Sequence, residues 1–309
     1  MLNDTLKSGC QTKWKYIIIL VFTAAMALGT AFLLEQGQPL RYLGRKLSLE
    51  GSWESWDGTN QKLCFEAGGK TLRVGAEEIP IPCGIDAVIS GEEALAVITS
   101  GSGVLTRTVF YDDQAQALGK IDLKDRAMLR GIFLDGCFLG LCYGKDGSWS
   151  LLACGLDGSI LAEKGLETEI CCDLLGLDTG FVVETEDALL FYNDELEPVG
   201  TYLLGSRQVA AWAGEDDLLA VVFYHQGEYY LESFYHTEAV AQCRIPMEIR
   251  DLAVVQGNIC ILDFESLRVY DAFCNCYAVS TEGARAVGLE TCKNGLWLLG
   301  EAEALYFTS

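Results

Sequence analysis

The stretch Asp251–Asp271, DLAVVQGNICILDFESLRVYD, holds three short apolar runs parted by a Gln-Gly turn and a polar break. Stretches built like it recur about every forty residues, the spacing at which self-similarity signals a repeat architecture. The opening runs are Ser52–Trp56 (SWESW), Ile85–Ile89 (IDAVI), Leu129–Leu134 (LRGIFL), Ile170–Leu175 (ICCDLL), Gln208–Trp212 (QVAAW), Ile249–Val254 (IRDLAV) and Ala284–Gly288 (ARAVG). From the second unit on, a more apolar run follows: LAVITS at 95–100, FLGLCY at 138–143, GFVVET at 180–185, LLAVVFY at 218–224, ICILDF at 259–264 and LWLLGE at 296–301. Third runs carry an aromatic near their end, as in TVFYD at 108–112, ALLFYND at 188–194, LESFYH at 231–236 and LRVYD at 267–271. Fourth runs, such as ALGKIDL at 117–123 and SILAEK at 159–164, mix polar and apolar residues.

Runs of this length bounded by turn residues read as strands. The turn chemistry agrees: Asp135-Gly136, Asp146-Gly147 and Asp157-Gly158 are hairpin signals, with Gln226-Gly227 and Gln256-Gly257 as weaker ones. The abundance of glycine (33) over proline (5) suits many tight turns. Near-continuous apolar second strands need cover on both faces. Four strands per unit, most apolar inside and mixed outside, is the period of a propeller blade. The last unit lacks a fourth strand, and Arg45–Gly51 (RKLSLEG) ahead of the first unit has no other partner. The expected fold is therefore all-β, a seven-bladed β-propeller with six or eight blades as alternatives. Residues 45–51 are predicted to hydrogen-bond to 304–308, which closes the ring and leaves no sheet edge open there.

Ahead of the repeats, Tyr16–Leu34 (YIIILVFTAAMALGTAFLL) carries no charge. At about 1.5 Å per residue it makes a helix of about 28 Å, close to the hydrocarbon thickness of a bilayer. The run is longer than the core of a cleaved signal peptide and ends in AFLLEQ, a poor cleavage site. It reads as an uncleaved signal-anchor, one transmembrane helix at 16–34 after a short cytoplasmic tail at 1–15. A linker at 35–44 and the propeller at 45–309 follow. The basic residues flanking the span are tied, with Lys7, Lys13 and Lys15 before it and Arg41, Arg45 and Lys46 after it. A short tail ahead of a large domain places the tail inside. The expected location is a single-pass protein of the cell membrane with its propeller outside the cytoplasm.

The chain is acidic, net −22, and past residue 46 it holds 16 basic against 42 acidic residues, a net of −26. Such a domain repels nucleic acid and anionic lipid, so no nucleic-acid partner is expected. Twelve of the thirteen cysteines follow the apolar segment. Cys64, Cys142, Cys154, Cys260 and Cys292 sit in or beside apolar runs, where a thiol acts as a small hydrophobe, and mostly reduced thiols are expected.

Little in the chain signals catalysis. His225 and His236 close two copies of Phe-Tyr-His and should fall at opposite ends of one hairpin, too far apart to share a metal. No pair of Cys-x-x-Cys knuckles, calcium loop or phosphate-binding loop occurs, so no metal and no cofactor is expected. The densest aromatic cluster is Phe223, Tyr224, Tyr229, Tyr230, Phe234 and Tyr235. Strand alternation sends some of it to the core. Tyr224, Tyr229, Tyr230 and Tyr235 are the candidate recognition patch, since tyrosine is favoured at binding surfaces.

The units resemble degenerate WD-type and quinoprotein-type repeats. VFYD, LFYND and RVYD stand where a Trp-Asp pair closes a WD repeat, while the Gly-His element is absent. The basic tail, single span and propeller together resemble the uncharacterised single-span membrane proteins of Gram-positive anaerobes. That resemblance implies architecture and location, and brings no activity with it. The expected function is a binding or scaffold module for a protein, glycan or envelope component. A hydrolase or lyase site at the channel mouth is the alternative.

Overall fold

The computed structural model describes residues 41–48, 63–65, 68–74, 77–91, 94–101, 103–112, 114–134, 136–246, 248–292, 295–300 and 303–308. The expected span at 16–34, the tail before it and the opening strand Ser52–Trp56 lie outside these residues. Among the described residues no helix is long and apolar enough to cross a membrane.

Among the described residues seven sheets follow one another along the chain. The first is three-stranded among the described residues, with β2 (Leu63–Phe65), β3 (Thr71–Val74) and β4 (Glu77–Pro80). The second holds β5 (Ile85–Ser90), β6 (Ala94–Gly101), β7 (Val104–Asp112) and β8 (Ala117–Leu123). The third holds β9 (Arg126–Leu134), β10 (Cys137–Gly144), β11 (Trp149–Cys154) and β12 (Ile160–Leu166). The fourth holds β13 (Cys171–Leu177), β14 (Gly180–Thr185), β15 (Ala188–Tyr192) and β16 (Pro198–Leu203). The fifth holds β17 (Gln208–Glu215), β18 (Leu218–His225), β19 (Glu228–Tyr235) and β20 (Glu238–Ile245). The sixth holds β21 (Ile249–Val255), β22 (Asn258–Asp263), β23 (Leu267–Tyr270) and β24 (Cys276–Ser280). The seventh joins β25 (Ala286–Cys292), β26 (Gly295–Gly300) and β27 (Glu303–Thr308) to β1 (Arg41–Ser48) from the other end of the chain. Every described pairing is antiparallel, and all but this last join successive strands.

The β1 pairing runs from Arg41 opposite Thr308 to Ser48 opposite Glu303, with a register shift between Tyr42 and Arg45. The strand starts four positions before the segment marked for it and takes in the last residues of the expected 35–44 linker. The shift falls at Leu43-Gly44, and a glycine is where a strand absorbs extra residues most readily.

The second strands show why their sequences are apolar throughout. On β14, Phe181 and Val183 pack toward the third sheet while Val182 packs toward the fifth. On β18, Leu218, Ala220 and Val222 face the sixth sheet while Leu219, Val221 and Phe223 face the fourth. Strand alternation thus serves two cores at once. Among the described residues six such cores lie between successive sheets, the largest wholly buried rings being Phe110, Phe138, Phe181, Phe223 and Phe234. Ten cysteines have described side chains, and these are free thiols. Several fill these cores, where burial pushes Cys142 up to about 12 and Cys154 up to about 11, so both stay protonated and inert.

The sheets have two distinct ends. At one end lie the turns from first to second and third to fourth strand. The segments 155–159, 178–179, 193–197, 216–217 and 271–275 there carry eight carboxylates and no Lys or Arg. The fourth and fifth sheets meet at this end through Asp178 N–H donating to Asp216 C=O at 2.8 Å, and within the fifth sheet His236 N–H donates to Asp217 C=O at 3.1 Å. Arg41, where β1 begins, is at this acidic end. At the other end lie the links between sheets and the turns from second to third strand.

Candidate functional site

The first strand of each sheet touches its counterpart in the next, from β9 through β13, β17 and β21 to β25, so these strands are innermost. Near the start of each described inner strand, pairing to the second strand slips by one residue. The extra residues are Asp86, Leu129, Cys172, Ala210, Arg250 and Val287, and all six are exposed. A β-bulge raises local twist and re-aims a side chain. Repeated on six strands, it sets six side chains out to solvent at one end of the inner strands, the end away from the acidic turns.

The residue after the bulge does a second job. Asp173 on the fourth sheet accepts from its neighbour Leu174 N–H (2.9 Å), from Arg130 Nε on the third sheet (3.1 Å) and from Trp212 Nε1 on the fifth (3.4 Å). Asp251 holds the same position on the sixth sheet and accepts from Leu252 N–H (2.8 Å) and from Leu289 N–H on the seventh (2.7 Å). Both carboxylates tie neighbouring inner strands together. Burial pushes Asp251 upward, opposed by those two N–H donors.

Beside Asp173 the site is most polar. Glu184 on β14 pairs directly across from it. Burial first, and then the Asp173 charge, push Glu184 up to about 7. Burial also pushes Cys172 upward, with Glu184, Glu186 and Asp173 adding to it. Among the described residues no three His, Cys, Asp or Glu side chains stand close enough to hold a metal ion. Glu215, also raised by burial, lies at the far end of β17 near Gln256 and Gly257, so it does not converge on this group.

The Glu184 shift carries a testable pH dependence. Its folded value lies above the ordinary 4.5, so between about 4.5 and 7 the folded state binds more protons than the unfolded one and stability falls as pH rises. Glu184→Gln is expected to leave the thermal midpoint unchanged at pH 4 and raise it at pH 8. Equal midpoints for variant and parent at pH 8 would contradict the assignment.

Aromatic side chains rim the same end. Tyr143 packs on Trp149 with centroids 4.8 Å apart, and Tyr224 packs on Tyr229 at 5.1 Å. Tyr230 donates its hydroxyl to Glu228 at 2.6 Å. Phe264, half exposed, stacks under the Arg250 guanidinium at 4.2 Å. Of the four tyrosines singled out from sequence, Tyr224, Tyr229 and Tyr230 gather at the β18–β19 turn, and Tyr235 lies at the opposite, acidic end against His236. The two histidines are likewise at opposite ends of that hairpin, His225 near Ser206 and His236 near Asp217. Sequence reasoning missed the bulge residues and the two clamping aspartates. Blades four and six share Asp-Leu two residues into the inner strand, and that was the one available signal.

No protein-family model matches the chain, and no curated protein matches it. Solved structures do. BamB from Moraxella catarrhalis is similar over 88% of this chain and 100% of its own, at TM-score 0.53 and 10% identity. The β-propeller domain of Cps50 (Swd1) from Myceliophteria thermophila is similar over 88% and 100%, at 0.57 and 9%. BBS1N, solved in complex with ARL6DN, is similar over 80% and 86%, at 0.57 and 14%. WD40 domains are among the other similar structures. At such identities the likeness is one of fold, and the fold it shows is an all-β propeller of about seven four-stranded sheets.

Proposed function

We propose that this chain is a membrane-anchored binding module that meets a protein or glycan partner at the bulge end of its propeller. In this reading residues 16–34 cross the cell membrane once and the propeller lies outside the cytoplasm. One observation carries the arrangement: the polypeptide joins the ring at Arg41, beside Thr308, on the acidic end. Residues 35–40 span at most about 20 Å when extended, so a tether there holds the acidic end toward the bilayer. The bulge end is then turned outward. Its exposed Leu129, Ile170, Val287 and Phe264, with Arg250 and the tyrosine pair, have the aromatic, apolar and arginine character of a recognition surface. BBS1N, of the same fold class, was solved with a bound protein, which supports a binding role in kind.

The test is site-specific photocrosslinking in intact membranes, with the full chain. Probes at Tyr224 and Val287 are expected to give protein or glycan adducts, and a probe at Asp194 on the acidic end is expected to give none. Adducts from Asp194 alone would reverse the orientation, and a soluble full-length chain after cell fractionation would remove the anchor.

The Asp173–Glu184 pair favours the second reading, a hydrolase or lyase, because Glu184 holds its proton to about 7. Against it, both Asp173 oxygens are engaged in joining blades. The two readings part on Glu184→Gln, which an enzyme would not survive as a catalyst and a binding module would tolerate.

A further inference from the structure

Cys243 lies on β20, the outer strand of the fifth blade, and Cys274 in the turn between β23 and β24 of the sixth. That turn is rigid. Asp271 Oδ1 accepts from Phe273 N–H and from Asn275 N–H, both at 2.9 Å, and Cys274 has φ +59°. The same turn recurs on the second and fourth blades, with Ala115 (φ +63°) and Leu196 (φ +62°) in the place of Cys274. Leu196 there is simply an apolar plug in the core beneath it.

On the sixth blade the plug is a thiol, and what it meets is another thiol. The Cys274 sulfur sits 3.5 Å from Ala241 C=O, 3.6 Å from Ser233 Oγ and 3.9 Å from Leu231 C=O, deep against the fifth blade. Cys243 is the cross-strand partner of Leu231 and packs in the same cluster. Cys243 is two residues past Ala241 on the same strand, so both thiols belong to one core cluster. Ser233 Oγ donates to Ala272 C=O at 2.6 Å and fastens the turn in place. The exposed Cys276, two residues on, turns its sulfur to Ala278 C=O at 3.6 Å.

We propose that Cys243 and Cys274 are a thiol-oxidation site at the joint between the fifth and sixth blades, forming a disulfide by exchange with a small-molecule disulfide. Cys243 is the partly exposed member, so the mixed disulfide forms on it and releases one small thiol. Cys274 then attacks the Cys243 sulfur and releases the second. One sulfur–sulfur bond forms as one breaks. The two electrons reduce the small disulfide, and the two thiol protons end on the released thiols. Placement supports the exchange: the Cys274 sulfur lies against the strand that carries Cys243, so the second step is intramolecular.

The full chain, reduced and then incubated with oxidised glutathione at neutral pH, is alkylated, digested and read by mass spectrometry. A cross-linked 243–274 peptide is expected to become the main form of the Cys243 peptide. It should persist in Cys276→Ser and vanish in Cys243→Ala. A stable glutathione adduct on Cys243, a bridge that uses Cys276, or a Cys243 still alkylated after Cys172 and Cys276 have oxidised would each overturn the proposal. The wild-type measurement alone decides it should the Cys243 variant not fold.

Discussion

Replacing Glu232 with alanine is expected to lower the unfolding free energy by about 3–5 kcal/mol, the range for removing one member of a buried ion pair. Glu232 is 7% exposed on β19 and carries a charge into the joint between the fourth and fifth blades. Tyr202 of β16 donates to its two oxygens at 2.8 and 2.7 Å. Arg207, in the link between the blades, reaches the Tyr202 hydroxyl at 2.7 Å and Glu232 Oε2 at 3.1 Å. Its guanidinium also lies over the Tyr202 and Phe223 rings and donates to Leu203 and Leu204 C=O. Alanine would leave the arginine and the phenol facing a void with no acceptor, and unmet polar groups there are costly. The double variant Glu232→Leu with Arg207→Met, which removes both charges and keeps the volume, should regain much of the loss. A loss below about 1 kcal/mol for Glu232→Ala would mean that the pair is worth no more than an exposed one.

Gly158→Ala is expected to cost about 2–5 kcal/mol, the sum of a left-handed backbone penalty and an overpacking penalty. Gly158 has φ +84° in the turn between β11 and β12, and a Cβ added there would overlap the Lys120 backbone on the second blade. Gly119 makes the reciprocal approach to the Asp157 backbone. Gly147 supplies the control: its φ is +85°, and an added Cβ would meet only the Tyr143 hydroxyl, at 3.7 Å. Gly147→Ala should therefore cost only the backbone part, about 1–2 kcal/mol. Urea midpoints of the two variants at unchanged m-value separate the contributions. Equal losses would show that the blades do not pack backbone to backbone at this point.

Much of the fold was legible because a propeller strand obeys two simple rules at once. Apolar runs such as LLAVVFY mark strands covered on both faces, and a missing fourth strand at the end of the chain points to a spare one at the start. The site was less legible for a physical reason. The bulge positions hold Asp86, Leu129, Cys172, Ala210, Arg250 and Val287, which share no residue type, because a bulge is a backbone event and its exposed side chain is unconstrained. The clamping roles of Asp173 and Asp251 depend on donors from neighbouring blades about forty residues away in sequence, which no local pattern marks. Tyr235 separated from its companions for a geometric reason: β19 is eight residues long, about 26 Å, and a tyrosine at each end serves a different face of the ring.

The seventh sheet has a consequence for biosynthesis. Its outer strand precedes the other described strands in the chain, and the neighbour it pairs with follows them. Until residues 303–308 are released, Arg41–Ser48 has no mate, and every nascent form of the chain keeps two unsatisfied edges. Closure of the wheel must therefore wait for residues 303–308. Removing residues 303–308 would strand the product at the stage most prone to clumping with its neighbours.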